Sequence, residues 1–432
     1  MRPGVSLLFL LALWGVSGLA VAFAYMPLST WMMIGIGIVL FSLLDAGWLW
    51  RRKAPRVTRE LPEALPLGVE RDVVLCLESA HRQSVEVFDL HPQGWFSQGL
   101  PRKIRLRPHI VSSFSYRLRP EARGDFILAG TQVRLHSPLG FWRRIRTVGD
   151  PQTVQVYPNF APLTRYALFS ADQASRLIGA HLKRRRGEGT DFHQMREYRA
   201  GDSLRQIDWK ATARARKLIS REYQDEKNQQ LVMLLDTGRR MMAQEDGYAH
   251  FDHVLNASLV VSYLALRQGD AVGLLAGGEN NRWIAPHRGM GTLDTILRAS
   301  YDLQPQPIAT DYLEMATTLA LRQRRRALVM LITNVRDEDI EDLLAGVRLL
   351  QKRHLVCVAS LRERALDEAL AEEVRDLSGA LRAGAVARYL EQRTAAHEAL
   401  RSHRVMTVDV ASEDLPAALV ERYLSVKRDG LL

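Results

Sequence analysis

The residues best suited to chemistry lie in one charged stretch of the sequence, positions 187–223. Its carboxylates Glu197, Asp202 and Asp208 alternate with arginines and with bulky apolar residues such as Trp209. A carboxylate in such surroundings can act as a general base, so an acid–base site is one interpretation. The candidate residues of the stretch are Arg196, Glu197, Tyr198, Arg199, Gly201, Asp202, Arg205, Asp208, Trp209 and Arg214.

The same composition has two interpretations without catalysis. Opposite charges this close in sequence can pair with one another and with the backbone, which would fix the segment against its neighbours. Alternatively, the segment is a docking surface for a partner protein. We favour these two interpretations and expect no enzymatic activity. The network is expected to involve Asp202, Arg205, Asp208 and Arg214.

After this stretch, apolar strand-like runs alternate with amphipathic helical patterns over residues 229–432. The runs are LVMLL, DAVGLLAGG, RALVMLITN, HLVCVAS and RVMTVDV. Such alternation predicts a doubly wound, mainly parallel α/β sheet. Because these sheets bind ligands at the carboxyl ends of their strands, the loops after Leu235, Ile332 and Ala359 are the expected position of a site.

Residues 56–165 have a different pattern, in which short β-branched strands are separated by Gly and Pro. This pattern predicts a small antiparallel β-sandwich domain, and residues 166–228 then form a separate segment that holds the charged stretch. The predicted strands are Val69–Leu77, Ser84–Leu90, Lys103–Leu106, Ser113–Leu118, Phe126–Leu135 and Val154–Tyr157.

Residues 1–55 are predicted to anchor the protein in a lipid bilayer. Val5–Tyr25 contains no charged residue, and Trp31–Trp50 contains the single carboxylate Asp45. A helix of about 20 apolar residues crosses the hydrocarbon core of a membrane. Two amino-terminal transmembrane helices that form a hairpin are therefore expected.

Positive charge sets the expected orientation of this hairpin. Arg51, Arg52 and Lys53 directly follow the second apolar run, and the turn between the runs carries no cation. The positive-inside rule then predicts a two-pass protein of the inner membrane with its soluble domains in the cytoplasm. The first run could instead be a cleaved signal peptide ending at 22–24, and the body would still lie inside.

The net charge of +11 is concentrated in two stretches, residues 102–146 and 183–221. Basic residues beside a membrane anchor favour anionic lipid headgroups. Nucleic acid is the rival partner, and because no nucleic-acid-binding motif is present we do not expect it. A solvated basic face with no partner is the third interpretation.

Familiar cofactor and hydrolase motifs are missing from the sequence. It contains no phosphate-binding loop of the G-x-x-x-x-G-K-S/T type, no H-E-x-x-H and no paired C-x-x-C. The two cysteines, Cys76 and Cys357, are far apart and each lies in an apolar run, so they are expected in the core. We therefore expect no cofactor.

The stretch GEGTDFHQMREYRAGDSLRQIDWKATARARKLISREY, Gly187–Tyr223, resembles the signature of the bacterial family called "domain of unknown function 58". The resemblance extends to the RGDF element at Arg123–Phe126, to SPLGF at Ser137–Phe141 and to the two apolar segments at the amino terminus. It implies a β-rich segment followed by a von Willebrand factor A-like domain. It also implies a partnership with a MoxR-type AAA+ ATPase that assembles or remodels protein complexes.

Domains of the von Willebrand A type typically hold a divalent cation with a D-x-S-x-S loop, a Thr in a middle loop and an Asp after the fourth strand. The loop DTGRR keeps Asp236, but Gly238 and Arg240 replace both hydroxyl ligands, and Asn334 stands where the second Asp is expected. With Thr292 as the middle-loop candidate, we expect a degenerate and empty metal site. Our hypothesis is that the Arg240 guanidinium pairs with Asp236 in place of the cation.

Together these observations predict a non-catalytic, membrane-anchored scaffold that binds other proteins. One alternative is a membrane-proximal enzyme that uses carboxylates of the signature segment as acid and base. Another is a basic surface that binds anionic lipid or nucleic acid.

Overall fold

The computed structural model describes residues 1–23, 25–160, 191–199, 204–224, 229–245, 247–278 and 281–431. The chain divides into two compact units, Met1–Tyr157 and Pro158–Leu432. The finer division predicted from the sequence, at residues 55, 165 and 228, stays a prediction, since residues 161–190 lie outside the described part.

The first unit opens with a short strand, β1 (Arg2–Pro3), and two apolar helices, α1 (Val5–Ala22) and α2 (Leu28–Arg51). By length and composition α2 can cross a membrane, whereas the apolar part of α1 is shorter. Two stacked indoles join the helices: the ring centroids of Trp14 and Trp31 are 4.2 Å apart. Each indole Nε1 donates to the backbone carbonyl of the other residue at 3.1 Å.

The rest of this unit is built of β-strands in three sheets. The sheet orders are β1-β11-β10-β5-β7, β2-β4-β8-β6 and β3-β12-β9. Alternate residues such as Leu75, Val87, Leu118 and Val133 are fully buried, as the period of a half-buried strand requires. The strands are β2 (Arg56–Glu60), β3 (Ala64–Pro66), β4 (Arg71–Glu78), β5 (Gln83–Leu90), β6 (Phe96–Gln98), β7 (Arg102–Leu106), β8 (Ser112–Arg119), β9 (Gly124–Leu128), β10 (Gly130–His136), β11 (Trp142–Val148) and β12 (Gln152–Tyr157).

Two details differ from the expected antiparallel domain. The strand predicted at Phe126–Leu135 is two strands, because the chain leaves one sheet after β9 and enters another at β10. Gly130 makes this change with a φ of +128°, and a Cβ there would lie 3.1 Å from the carbonyl oxygen of Val148. In addition, β3 pairs with β12 in parallel.

The second unit contains an α/β region with a six-stranded sheet, in the order β19-β18-β15-β20-β21-β22. All neighbours are parallel except β19, which runs antiparallel to β18 at the edge. Its strands are β15 (Gln230–Leu235), β18 (Ala271–Ala276), β19 (Arg282–His287), β20 (Leu328–Thr333), β21 (Leu355–Arg362) and β22 (Met406–Ala411); a small pair is formed by β16 (Gln244–Glu245) and β17 (Tyr248–Ala249).

Helices cover both faces of this sheet, which confirms the predicted α/β region. Phe251 and Leu419 belong to the buried cluster on one face, and Met315 and Val347 belong to the cluster on the other. Two further strands, β13 (Asp191–Glu197) and β14 (Ile219–Gln224), pair separately. The helices are α3 (Trp209–Ala215), α4 (His250–Arg267), α5 (Gly291–Ser300), α6 (Tyr312–Arg322), α7 (Ile340–Gln351), α8 (Arg364–Ala371), α9 (Leu377–Ser402) and α10 (Leu415–Arg428).

Candidate functional site

A crevice is expected where the strand order of a doubly wound sheet reverses. Here the connection from β15 leads to β18 on one side, and the chain then returns to β20 on the other side of β15. Asp236 directly follows β15, and Asn334 directly follows β20. Asp236 and Asn334 therefore lie at the carboxyl ends of neighbouring strands, as predicted from the sequence.

The carboxylate of Asp236 is fully buried and its oxygens are occupied by neutral donors. The amide of Gly238 donates to Oδ1 at 2.7 Å, and the hydroxyl of Thr310 donates to the same oxygen. The hydroxyls of Thr333 and Tyr312 donate to Oδ2 at 2.6 and 3.2 Å. Burial and the nearby Asp236 charge raise the pKa of Tyr312 well above its usual value, so this phenol stays protonated.

The close packing of this loop explains why glycine replaces the serine of the metal-binding pattern. A Cβ on Gly238 would lie 3.0 Å from the carbonyl oxygen of Ile308 and 3.1 Å from Asp236 Oδ1, and it would collide with the hydroxyl of Thr310. A serine at this position therefore does not fit the loop as folded. Thr310 supplies the hydroxyl that reaches Asp236.

Thr292 and Asn334, the other two residues predicted for the metal site, make hydrogen bonds to residues other than Asp236. The Thr292 hydroxyl donates to the carbonyl of Arg288 at 3.3 Å. The Asn334 amide donates to Glu363 at 2.7 Å, and its oxygen accepts from Arg393 at 2.7 Å. The hydrogen bonds of these two residues therefore do not join them to Asp236, the third residue of the predicted degenerate site.

The hypothesis that Arg240 pairs with Asp236 is also wrong. The Arg240 guanidinium lies 3.0 Å from Glu338 and 2.6 Å from Asp339, both in the short helical turn Asp337–Asp339. The pKa of Asp339 is raised by burial, and Arg240 opposes that rise. Arg240 therefore joins the loop after β15 to the loop after β20.

A different arginine occupies the carboxyl edge of β20, β21 and β22. Arg393 of α9 is 2% exposed, and it donates to Asn334 Oδ1 at 2.7 Å, to Ser360 Oγ at 2.6 Å and to Asp409 Oδ1 at 2.6 Å. It also donates to the carbonyls of Val335 and Leu361 at 3.0 and 2.7 Å. One guanidinium thus connects the ends of three neighbouring strands.

This donor set does not fit a divalent cation. Mg²⁺ requires several oxygen ligands in octahedral geometry. In the described part of the chain, the groups that hydrogen-bond to the Asp236 carboxylate are one amide and three hydroxyls, and none is a second carboxylate. Among the residues that the structure describes, no three His, Cys, Asp or Glu side chains are grouped as metal ligands. The edge of the sheet is a closed hydrogen-bonded network suited to holding loops in place.

The charged stretch forms a small separate element, which we call the signature module: residues 191–199 and 204–224. Asp208 caps α3 by accepting the Ala211 amide at 2.9 Å, and its other oxygen accepts from Arg221 Nε and Nη2 at 2.8 and 2.7 Å. The Ala211 amide and then Arg221 lower the pKa of the Asp208 carboxyl. Asp208 is thus hydrogen-bonded as a member of a polar network, but its arginine is Arg221, which was not among the predicted residues, and the predicted network as a whole stays a prediction.

The other predicted residues of the module are mostly at its surface. Glu197 is exposed and pairs with Lys217 at 2.9 Å. Arg196 donates to the carbonyl of Glu197 at 3.2 Å, and the Tyr198 amide donates to the carbonyl of Leu218 at 2.9 Å. Arg199 and Arg214 are exposed; Gly201, Asp202 and the side chain of Arg205 lie outside the described residues.

The module also exposes apolar side chains that sequence reasoning only partly identified. Trp209, in the first turn of α3, is 67% exposed, and Leu204 is 72% exposed. Met195 and Leu218 are also exposed. An exposed tryptophan on a capped helix is typical of a contact surface for another protein.

Comparison with known proteins supports the family expected from the signature. Residues 194–405 match the family described as "Protein of unknown function DUF58". The matched residues, just under half of the chain, include most of the signature module and most of the α/β region.

One curated relative is the uncharacterized protein YeaD of Bacillus subtilis (strain 168), which is 23% identical over 175 residues. The match covers 39% of this chain and 39% of YeaD, so the chain spans well under half of that relative. An aerotolerance-related membrane protein from Bacteroides fragilis is 15% identical, with 46% of this chain and 99% of that chain covered and a TM-score of 0.29. A PKD domain of an M14-like peptidase from a Thermoplasmatales archaeon is 10% identical, with 24% and 97% covered and a TM-score of 0.17.

The structural similarities are too low to carry an argument about function. The apolar helix α2 instead indicates membrane association, since it is long enough to span a bilayer. The chain is therefore a membrane-associated protein with an all-β segment and an α/β region, and its residues 194–405 match the DUF58 family.

Proposed function

We propose that the protein is a non-catalytic, membrane-anchored scaffold whose signature module and α/β region bind other proteins. The observation that carries this proposal is the exposure of Trp209, which is 67% exposed although its helix is fixed by the Asp208 cap. Leu204 adds a second exposed apolar side chain in the same module. Tryptophan is enriched among the residues that dominate binding energy at protein interfaces.

The geometry of the carboxylates favours binding over acid–base catalysis. Glu197 is exposed and paired with Lys217 at 2.9 Å, so it does not lie in a pocket that could hold a substrate. Asp208 already accepts three hydrogen bonds and its pKa is lowered, which makes it a weak base. Both carboxylates therefore serve the fold of the module in this proposal.

We assign the α/β region to the von Willebrand factor A-like type, with its metal site replaced by hydrogen bonds. Asp236 at the switch point and the order of the parallel strands support the assignment. The family resemblance suggests a MoxR-type AAA+ ATPase as the partner. A network that already satisfies Asp236 would present rigid loops to that partner without a cation.

Binding to the ATPase can be measured directly. The full chain, reconstituted in nanodiscs, is titrated with a purified MoxR-type AAA+ ATPase. If Trp209 is an interface anchor, Trp209→Ala should weaken binding about 30-fold or more, as truncation of an anchor residue does. Leu321→Ala, at a 73% exposed position outside the module, is the control and should leave the affinity unchanged. Equal affinities of the wild type and both variants for the ATPase, or no binding by the wild type, would refute the proposal.

The proposed localisation is the inner membrane, with two passes and the soluble parts in the cytoplasm. The cations Arg51, Arg52 and Lys53 at the end of α2 support this orientation. A carboxyl-terminal fusion to a fluorescent protein should then be bright, and a fusion to alkaline phosphatase should be inactive. The reverse result would place the α/β region outside the cell's interior and exclude a cytoplasmic ATPase.

A further inference from the structure

The turn between β10 and β11 packs beside the membrane-spanning helix α2. Asp45 accepts the amides of Leu139 and Phe141 at 3.2 and 3.3 Å. The indole Nε1 of Trp142 donates to the Ser42 carbonyl and hydroxyl, both at 3.0 Å. At a rise of 1.5 Å per residue, Asp45 lies about 9 Å inside the carboxyl end of α2, so the turn reaches the depth of the membrane interface.

A row of side chains crosses the five-stranded sheet directly behind this turn. The cross-strand neighbours in this row are Arg2 and Arg143, Arg143 and His136, and Ser84 and Arg105. They lie on the face opposite the buried Val85 and Leu135. The next row contains Ile145, Arg134, Glu86 and Lys103. We call these two rows the cationic face.

The positive charges of the cationic face are poorly balanced within the described structure. Arg2 and Arg143 are direct cross-strand partners, and like charges in that position destabilise a sheet. Among the residues that the structure describes, none forms a hydrogen bond with the buried Nε atom of Arg143. Glu86 is the acid of the two rows, and it is already engaged by Arg134 at 2.8 Å. An added anion beside Arg2 and Arg143 would remove the repulsion.

We propose that the cationic face binds the phosphate of an anionic phospholipid at the membrane surface. Leu139, 53% exposed at the depth of Asp45, would enter the acyl boundary, while Arg2 and Arg143 contact the headgroup. A lipid fits this face because both apolar helices are connected to the same sheet. The strand β1 continues directly into α1, and the turn between β10 and β11 is hydrogen-bonded to Asp45 of α2. The inference rests on the membrane anchoring in the proposed function, and it does not depend on the binding of a partner protein.

Lipid enrichment around the full chain provides the test. The protein is reconstituted in phosphatidylcholine nanodiscs with a minor fraction of phosphatidylglycerol, and the retained lipids are counted by native mass spectrometry. Phosphatidylglycerol should be enriched over its bulk fraction. Arg2→Gln with Arg143→Gln should reduce the enrichment, by roughly fivefold for each cation removed. The control Arg117→Gln with Arg375→Gln removes two exposed charges elsewhere and should change nothing.

A gain of binding separates this proposal from simple misfolding of a variant. Glu86→Gln should raise phosphatidylglycerol enrichment, since it frees Arg134 and removes the acid of the face. Bulk-like lipid composition around the wild type, or equal enrichment in the charge-removed pair and its control, would overturn the proposal. A detergent-solubilised protein whose cationic face binds duplex DNA, with no lipid preference in nanodiscs, would overturn it in favour of nucleic acid.

Discussion

Replacement of Arg393 by leucine should destabilise the α/β region strongly. The guanidinium is 2% exposed and pairs with Asp409 at 2.6 Å, while it also satisfies Asn334 and Ser360. Removal of one partner of a buried ion pair costs about 3–5 kcal/mol, because the remaining charge is left unpaired. Since the Asp409 side chain is 24% exposed, water can solvate it, and the lower end of about 3 kcal/mol applies. For a region of this size that free energy lowers Tm by roughly 6–12 °C.

The measurement is calorimetry of the full chain in detergent, with hydrogen exchange at the amides that follow β20 and β21. Exchange of the Val335 amide, which donates to the Ser360 hydroxyl, should accelerate because Arg393 holds that hydroxyl in place. Arg388→Leu, at an exposed position of the same helix, is the control. Combining Arg393→Leu with Asp409→Leu should recover part of the loss. A fall in Tm as small as that of the control, or additive effects in the double variant, would refute the reasoning.

Three further predictions concern other close contacts. Gly238→Ala should cost about 1–3 kcal/mol by overpacking, whereas Gly291→Ala, with open space around its Cβ position, should be tolerated in the same melting experiment. Gly35→Val should force apart the stacked tryptophans, because a Cβ there would lie 2.6 Å from the Trp14 ring, and near-UV circular dichroism should lose the signal of the pair. Acid should open the signature module, because the pKa of Asp208 is lowered in the folded state. The free energy with which ionised Asp208 stabilises the module is fully present above the unfolded pKa of about 3.9, and it is lost as the pH falls through the folded pKa. Faster exchange of the Ala211 amide at low pH, absent in Asp208→Asn, would confirm this.

The α/β region could be predicted from sequence because each of its central strands is buried on both sides. Such strands are continuous apolar runs, as in Leu328–Thr333, and the helices between them have one apolar face. The β-rich segment was less predictable. Nothing in the alternation of Phe126–Leu135 shows that the chain changes sheets there, since the decisive feature is the backbone conformation of Gly130.

The candidate site was predictable only where its residues follow a strand. Asp236 and Asn334 were found this way, whereas Thr310 and Tyr312 come from a connection that no strand pattern locates. Arg393 left a signal that could have been used. The buried residues of α9 are Arg393, Ala396, His397 and Leu400, so an arginine stands at a core position of a helical repeat. A charge there requires buried acceptors, and the strand ends supply them.

The carboxylate that the sequence places in the second apolar run, Asp45, has hydrogen-bond partners in the structure. A carboxylate at the centre of a membrane helix costs about 2.5–3.5 kcal/mol on insertion scales, and Asp45, six residues before the end of α2, would carry part of that cost. In the structure it accepts the amides of Leu139 and Phe141, which lie in the SPLGF turn. Those amides would themselves be unpaired beside α2 if Asp45 were apolar. The carboxylate and the two amides of the turn therefore satisfy each other's hydrogen bonds. This explains why a charged residue in an apolar helix and the SPLGF turn occur in the same chain. It also fixes the five-stranded sheet to α2, which supports the proposed position of the cationic face at a membrane surface.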